Sequence, residues 1–220
     1  MTQCQQATGP HPVQAVGLAV AGWLSADREQ LITAANLGVA GVPLRRDLEQ
    51  RLGLPVTVDN DGNAAALAEA RAGSGRQARM LVMLTLGTGV GGGIVTSDRL
   101  LTGAAGLAGE LGHLPSISNG PSCPCGGRGC LEVYASGPAV ARLVPVLNPD
   151  LVLLGGGLAA GATDLVLIPA RRTLAEATPL SNVVAAPPVR LATCGADAGA
   201  LGASYLPDLN GSRTPAGAAI

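Results

Sequence analysis

The chain has 220 residues and a formal net charge of −1, with 47% hydrophobic and 13% charged residues. That balance argues against a nucleic-acid binder, which needs a basic patch, and no apolar run approaches the roughly 20 residues of a membrane-spanning helix. Phenylalanine is absent and aromatic residues make up 1%, so the core has to be built from Ala, Leu and Val; 32 Gly and 16 Pro imply tight turns and close backbone approaches. Three of the five cysteines fall within eight positions, which reads as metal ligation in a reducing, cytoplasmic compartment rather than a disulfide framework.

In chain order, residues 1–12 read as a loose lead-in without the pattern of a secretory signal. Val13 to Ala21 is expected to be a strand ending at Gly22. Pro43 to Leu52 carries Leu44, Leu48 and Leu52 on one helical face, with Pro43 expected in its first turn. A short strand over Pro55–Val58 leads to a turn at Asp59-Asn60-Asp61-Gly62 and an Ala-rich helix over Asn63–Ala72. Met80–Leu86 is an apolar run, a buried strand, followed by Gly87-Thr88-Gly89, a second strand and a hairpin tip at Ser97-Asp98-Arg99. Gly103–Gly129 is loop-like with a helical turn near Glu110. Leu131–Val144 is a helix interrupted at Gly137-Pro138. Leu151–Leu154 is a buried strand that ends at Gly155-Gly156-Gly157. A helix over Asp164–Ala177, a strand over Val183–Leu191 and a helix over Ala198–Leu206 complete the pattern. Strands alternating with helices indicate an α/β architecture.

Three groups of residues carry chemistry. Cys123, Cys125 and Cys130 lie in a glycine-rich loop with His113 ten positions upstream, and three thiolates plus one imidazole form a closed tetrahedral set for structural Zn²⁺. Cys4 and Cys194 have no partners at ligand spacing, and His11 reads as a surface residue. Glu110 and His113, at i and i+3, project to one side of a helical turn, and Glu132 is tethered to the same loop. A polyol needs such convergent acceptors and donors, although a lone Glu is usually a surface carboxylate. Asp61 is a candidate general base and Asn60 a hydroxyl reader at a strand end; alone, such an Asx cluster usually makes only a turn. The turns at Gly87, Thr88 and Gly89 and at Gly155, Gly156 and Gly157 offer backbone N–H groups to phosphate. Neither is a Walker loop, and a strand–GTG–strand hairpin is characteristic of actin-like nucleotide folds.

Together these residues resemble the ROK family of repressors, open reading frames and sugar kinases. CxCGxxGCxE is matched at Cys123–Glu132, ExGH at Glu110–His113, and the Asn-Asp pair at Asn60-Asp61. The resemblance covers roughly Val13 to Leu206. It implies an actin-like ATPase (ribonuclease H-like) sugar kinase fold, with Asp61 as catalytic base toward a sugar 6-hydroxyl and MgATP as phosphoryl donor. Gly22, Asn60, Glu110, His113 and Glu132 would hold the sugar, and Thr88 with its flanking glycines the phosphates. Val58–Glu69 looks especially like N-acylmannosamine kinases; glucokinases of the family usually carry Ala where Gly62 stands. The family also implies association into homo-oligomers, and a repressor reading lacks a helix-turn-helix segment before Val13.

Two family features are not matched: the Asp-x-Gly-Gly-Thr loop that handles Mg²⁺ and phosphate, and the helices between Glu132 and Asp150. The expectation is therefore an incomplete N-terminal lobe over 13–64, a C-terminal lobe over 65–206 with its zinc loop at 113–130, and a disordered tail over 207–220. A non-catalytic sugar-binding fragment is the alternative to a hexose or N-acylhexosamine kinase, and N-acetylmannosamine is favoured over glucose as substrate.

Overall fold

The computed structural model describes residues 12–34, 37–134, 144–177, 183 and 185–209. In chain order the elements are β1 (Val16–Val20), β2 (Trp23–Leu24), β3 (Leu31–Ala34), β4 (Val39–Val42), α1 (Leu44–Leu52), β5 (Val56–Asn60), α2 (Asp61–Arg71), β6 (Met80–Leu86), β7 (Val90–Thr96) and β8 (Arg99–Leu100). After a 3₁₀ turn at Leu111–His113 come α3 (Leu131–Tyr134), α4 (Val144–Leu147), β9 (Leu151–Gly155), α5 (Gly157–Gly161), α6 (Thr163–Ala177), β10 (Val189–Leu191) and α7 (Ala198–Leu209).

β6 is the centre of a five-stranded sheet of order β10-β9-β6-β7-β8, parallel to β9 and antiparallel to β7. Its apolar run over Met80–Leu84 follows from burial on both faces. Val82 and Leu84 join one core with Ile94, Val152, Leu154, Ala170 and Leu174. Leu81 and Met83, pointing the other way, join Ala65, Ala66, Leu153 and Ala198. The hairpin tip is Ser97-Asp98, both at positive φ (48° and 65°), the primed-turn geometry that suits a two-residue connection; Arg99 already belongs to β8.

The lack of large aromatics is explained by the helices. α2 is buried from Gly62 to Glu69. A Cβ on Gly202 of α7 would lie 1.7 Å from the carbonyl oxygen of Ala64, and one on Gly17 of β1 would lie 1.7 Å from that of Ala203. α7 thus meets both α2 and β1 backbone to backbone, which only Gly at these positions allows. α2 in turn packs on β7, where a Cβ on Gly93 would lie 2.7 Å from the Ala66 methyl. The α2–α7 pair therefore lies between the five-stranded sheet and the parallel β1–β5 pair.

Several elements differ from expectation. Asp59–Gly62 is not a turn: β5 runs to Asn60 and α2 starts at Asp61, because the Asn60 side chain caps the helix in place. Pro43 precedes α1 as its N-cap residue rather than sitting in the first turn. Trp23–Leu24, Leu31–Ala34 and Val39–Val42, to which periodicity assigns no element, form the antiparallel sheet β2-β3-β4. The last strand is confined to Val189–Leu191, since Pro187 and Pro188 cannot donate to a ladder. α7 continues past Leu206 through Pro207 to Leu209, anchored by buried Leu206 and by Asp208, whose carboxylate meets Arg71 at 3.2 Å. α2 also runs without a break across the expected lobe boundary at residue 64. The first eleven residues with Cys4 and His11, the stretch around Gly137-Pro138 and the tail from residue 210 lie outside the described residues.

Candidate active site

Asn60 ends β5 with extended backbone, and its Oδ1 accepts from the amides of Gly62 (2.8 Å) and Asn63 (3.4 Å). Its Nδ2 donates to the carbonyl of Gly22 at 3.2 Å. Two expected sugar residues, Gly22 and Asn60, are therefore joined to each other, and the cap fixes where the helix begins. Asp61 follows at the first position of α2, exposed, with Oδ1 taking the Gly62 amide at 3.0 Å. A carboxylate there is favoured by the helix dipole.

Glu110 precedes the 3₁₀ turn that carries His113. Gly112 between them has no room for a side chain, since a Cβ would sit 1.8 Å from the Val90 carbonyl; the turn is thereby pressed onto β7. His113 points Nδ1 at Cys123 Sγ (3.6 Å) and Nε2 at the Glu110 carboxylate (3.9 Å). Burial pushes the Glu110 carboxyl above its ordinary range; Trp23 and His113 pull it down, while Asp61 and Glu132 push it up. The three carboxylates therefore share one electrostatic field. Trp23 stands edge-on to His113, ring centroids 6.1 Å apart.

The cysteine loop is folded by its glycines. Gly126 and Gly129 adopt φ of 88° and 68°, and isolated bridges pair Pro115 with Cys130 and Ser122 with Arg128. Donor atoms of His113, Cys123, Cys125 and Cys130 all lie within 4.8 Å of one another. Cys125 and Cys130 sulfurs are 3.7 Å apart. A tetrahedron with legs of about 2.3 Å has edges of about 3.8 Å, so this edge and the His113–Cys123 edge fit a bound metal ion. The Gly127 amide lowers the Cys125 thiol, whereas burial and the two neighbouring thiols push Cys130 up to about 12. A divalent cation overrides that order by favouring the thiolate at every ligand.

Glu132 leaves this loop on α3, and its Oε2 accepts from the Val90 amide at 3.0 Å. Val90 begins β7 immediately after Gly87-Thr88-Gly89, whose exposed tip is closed by a Gly87-to-Gly89 backbone bond. The second glycine turn lies alongside. Thr85 and Gly155 are in register at the ends of β6 and β9, and a Cβ on Gly156 (φ 89°) would lie 2.3 Å from the Leu86 carbonyl. Both turns leave the same edge of the sheet, where α/β folds bind ligands.

Comparison with known proteins supplies the lineage. A family model described as ROK family matches residues 2–145. The chain belongs to the ROK family. Among its ROK relatives is a glucokinase from Streptomyces coelicolor, 43% identical over 132 residues, which cover 60% of this chain and 42% of the relative. An N-acetylmannosamine kinase from Citrobacter koseri is 45% identical over 129 residues, 58% of this chain and 44% of the relative. The chain thus matches less than half of either relative's length. A ROK glucokinase from Streptomyces griseus, solved with glucose and AMPPNP, superposes with a TM-score of 0.78 at 29% identity, over 93% of this chain and 86% of that one. The fold is the actin-like ATPase fold of ROK sugar kinases.

The expected ROK residues fall into two groups. Asp61, Glu132 and His113 act on the Glu110 carboxyl, Gly22 and Asn60 are bonded to each other beside Asp61, and the two glycine turns lie at the sheet edge. Two residues of the site escaped the sequence reading. Trp23 touches His113, and the chain's single Trp beside Gly22 was an available signal. Buried Asp59, which accepts from Asn63 Nδ2 at 2.8 Å and from the Asn60 amide at 2.7 Å, gave none. Among the described residues no helix is long and apolar enough to cross a membrane.

Proposed function

We propose that this ROK-family chain carries the sugar site of an ATP-dependent kinase that phosphorylates the 6-hydroxyl of a hexose or N-acylhexosamine. The observation that supports it is the convergence of exposed Asp61 with Glu110, Glu132 and His113 beside the cysteine loop. Asp61 takes the proton of the 6-hydroxyl as that oxygen bonds to the γ-phosphorus and the bond to the ADP oxygen breaks. Catalysis of this kind is positioning and charge stabilisation. Glu110 and Glu132 accept from ring hydroxyls, and Asn60 orients the segment that carries the base. The Thr88 and Gly156 turns hold phosphates through backbone N–H groups. Mg²⁺ accompanying ATP supplies neutralisation of the phosphate charge.

Zn²⁺ is the metal we assign to His113, Cys123, Cys125 and Cys130, in a structural role. A metal held there would fix the tautomer of His113, whose Nε2 faces Glu110 and the proposed sugar. N-acetylmannosamine is the substrate we favour, on the likeness of Val58–Glu69. Glucose is the second choice, supported by the equally good match to the Streptomyces glucokinase. Self-association, common in the family, belongs to the same proposal.

The alternative reading is sugar binding without phosphoryl transfer. A coupled ADP-release assay with N-acetylmannosamine and with glucose separates the readings. Turnover with either sugar supports the kinase. Saturable sugar binding without turnover establishes the second reading, and absence of both overturns the sugar site itself.

A further inference from the structure

We infer that Arg28 is a positioning residue that locks the base-bearing end of β5 to the loop carrying Glu110, an assignment that rests on the sugar-kinase reading above. Arg28 lies in the turn between β2 and β3 at φ 60°, a conformation rare for residues with a side chain. The turn is held by its own bonds: the Arg28 amide donates to Ser25 O at 2.9 Å, and Asp27 accepts from the Ser25 hydroxyl and, at 3.1 Å, from the Glu29 amide. The polar sequence Ser25-Ala26-Asp27-Arg28 is folded to aim one guanidinium inward.

The Arg28 side chain is 15% exposed, and its guanidinium reaches three segments. Nη2 lies 3.2 Å from Asp59 Oδ1, as an ion pair rather than an aligned hydrogen bond. Nη1 donates to the Gly106 carbonyl at 3.0 Å and, more weakly, to Ser25 O at 3.4 Å. Asp59 sits two residues before Asp61, and its Oδ1 also holds the Asn60 amide and Asn63 Nδ2. Gly106 sits four residues before Glu110, in a loop closed by Gly106-to-Gly103 and Ala108-to-Thr102 backbone bonds. A Cβ on Gly106 would come within 2.3 Å of Nη1, so this glycine is shaped to receive the arginine.

One rigid, always-charged fork therefore ties together the β2–β3 turn, the strand end bearing Asn60 and Asp61, and the loop bearing Glu110. These last two segments are distant in sequence and must be held in register for a sugar to bridge Asp61 and Glu110. Lysine, a point charge, cannot reach both acceptors in the same geometry. Arg28 is spent on protein atoms, so its action on the sugar is indirect.

The test uses the full chain with Arg28→Lys and Asp59→Asn, both of which keep a polar group in place. Amide hydrogen exchange is followed by peptide, and sugar binding by fluorescence of Trp23, the only tryptophan, with N-acetylmannosamine and glucose as probes. In Arg28→Lys, exchange is expected to rise together in residues 59–63 and 103–109. Sugar affinity is expected to fall about 10- to 100-fold, with zinc content and melting midpoint close to wild type. Unchanged affinity, or faster exchange confined to the β2–β3 turn, overturns the assignment. If Arg28→Lys does not fold, the same comparison is made on Asp59→Asn, with the same expectation and the same overturning result. If the wild-type chain binds neither sugar, the sugar-kinase reading fails, and joint exchange of the two segments alone decides whether Arg28 couples them.

Discussion

Glu132 accepts a hydrogen bond from the Val90 amide at 3.0 Å, so the loop that carries the Cys/His cluster is tied directly to the glycine hairpin at the sheet edge. Gly89 is confined by the same carboxylate, since a Cβ there would lie 2.5 Å from Glu132 Oε2. A carboxylate has a second oxygen free for a sugar hydroxyl while the first holds the hairpin.

Glu132→Ala is therefore expected to raise the KM for both sugar and nucleotide, because it removes a sugar acceptor and frees the phosphate turn. Glu132→Gln keeps a neutral acceptor for Val90 and should restore the nucleotide KM while leaving the sugar KM raised. Steady-state kinetics on the two variants check this; a nucleotide KM equal to wild type in Glu132→Ala would show that the hairpin does not depend on this bond.

Glu110 gives a pH signature of opposite sign for binding and for stability. Burial raises its pKa in the folded chain, so the free protein gains stability from its protonated form. That gain is complete at low pH and is lost as pH rises through the raised value. A sugar hydroxyl donates to the ionised form, so sugar affinity should decline as pH falls through the same value. Glu110→Gln should bind sugar more weakly above that value and remove that decline. Fluorescence titration across the acid range is the measurement, and an unaltered pH profile in the variant would assign the titration elsewhere.

The cysteines should separate by chemistry. Metal analysis is expected to find about one zinc per chain, held by four ligands, and a chelator should lower the melting midpoint because ligand binding and loop folding are linked. After chelation, alkylation near pH 8 should label Cys125 first, since the Gly127 amide lowers its pKa, and Cys130 slowly. Burial, with Glu69 beside it, pushes Cys194 up to about 11, so it should stay largely unlabelled whether or not zinc is present. Peptide mapping reads the order.

How much of this was visible beforehand depended on sequence distance. His113, the three loop cysteines and Glu132 fall within twenty residues, so their grouping is legible from spacing. β6 is legible because both its faces are buried and Met80–Leu84 is an apolar run. The β2-β3-β4 sheet was not, because strands of two to four residues carry too little periodicity and take their stability from each other. Arg28 was invisible as a site residue, since its role depends on a positive φ and on Gly106, 78 positions away. Glu69 is one polar residue of an Ala-rich helix, and nothing local marks it, because its partners Thr193 and Cys194 lie 124 and 125 residues further on.

That buried Glu69 gives a prediction free of catalysis. Its side chain accepts from the amides of Ser74 (2.8 Å), Thr193 (2.6 Å) and Cys194 (2.5 Å), pinning the end of α2 to the segment between β10 and α7. Glu69→Ala removes the shared acceptor of three part-buried amides, each bond contributing about 1 kcal/mol, so destabilisation of about 3 kcal/mol is expected. Glu69→Gln should lie between it and wild type. Urea unfolding measures both, and zinc content of the folded fraction should not change.

Asp61 and Gly62 carry the sharpest pair of expectations. Asp61→Asn keeps the size of the side chain and an oxygen for the Gly62 amide, but it cannot take a proton. Loss of a general base costs about 100- to 10,000-fold in rate, with sugar affinity near wild type; equal loss of binding would mean that Asp61 is a sugar ligand first. Gly62→Ala addresses the geometry behind it. A Cβ there would lie 2.6 Å from the Gly92 carbonyl and 2.9 Å from its amide, both backbone atoms of β7. The helix start and the hairpin must then separate by several tenths of an ångström, carrying Asp61 away from the phosphate turn. Turnover in Gly62→Ala should fall more than sugar affinity does. If both stay at wild-type values, the contact between α2 and β7 is looser than drawn and the base is positioned by the Asn60 cap alone.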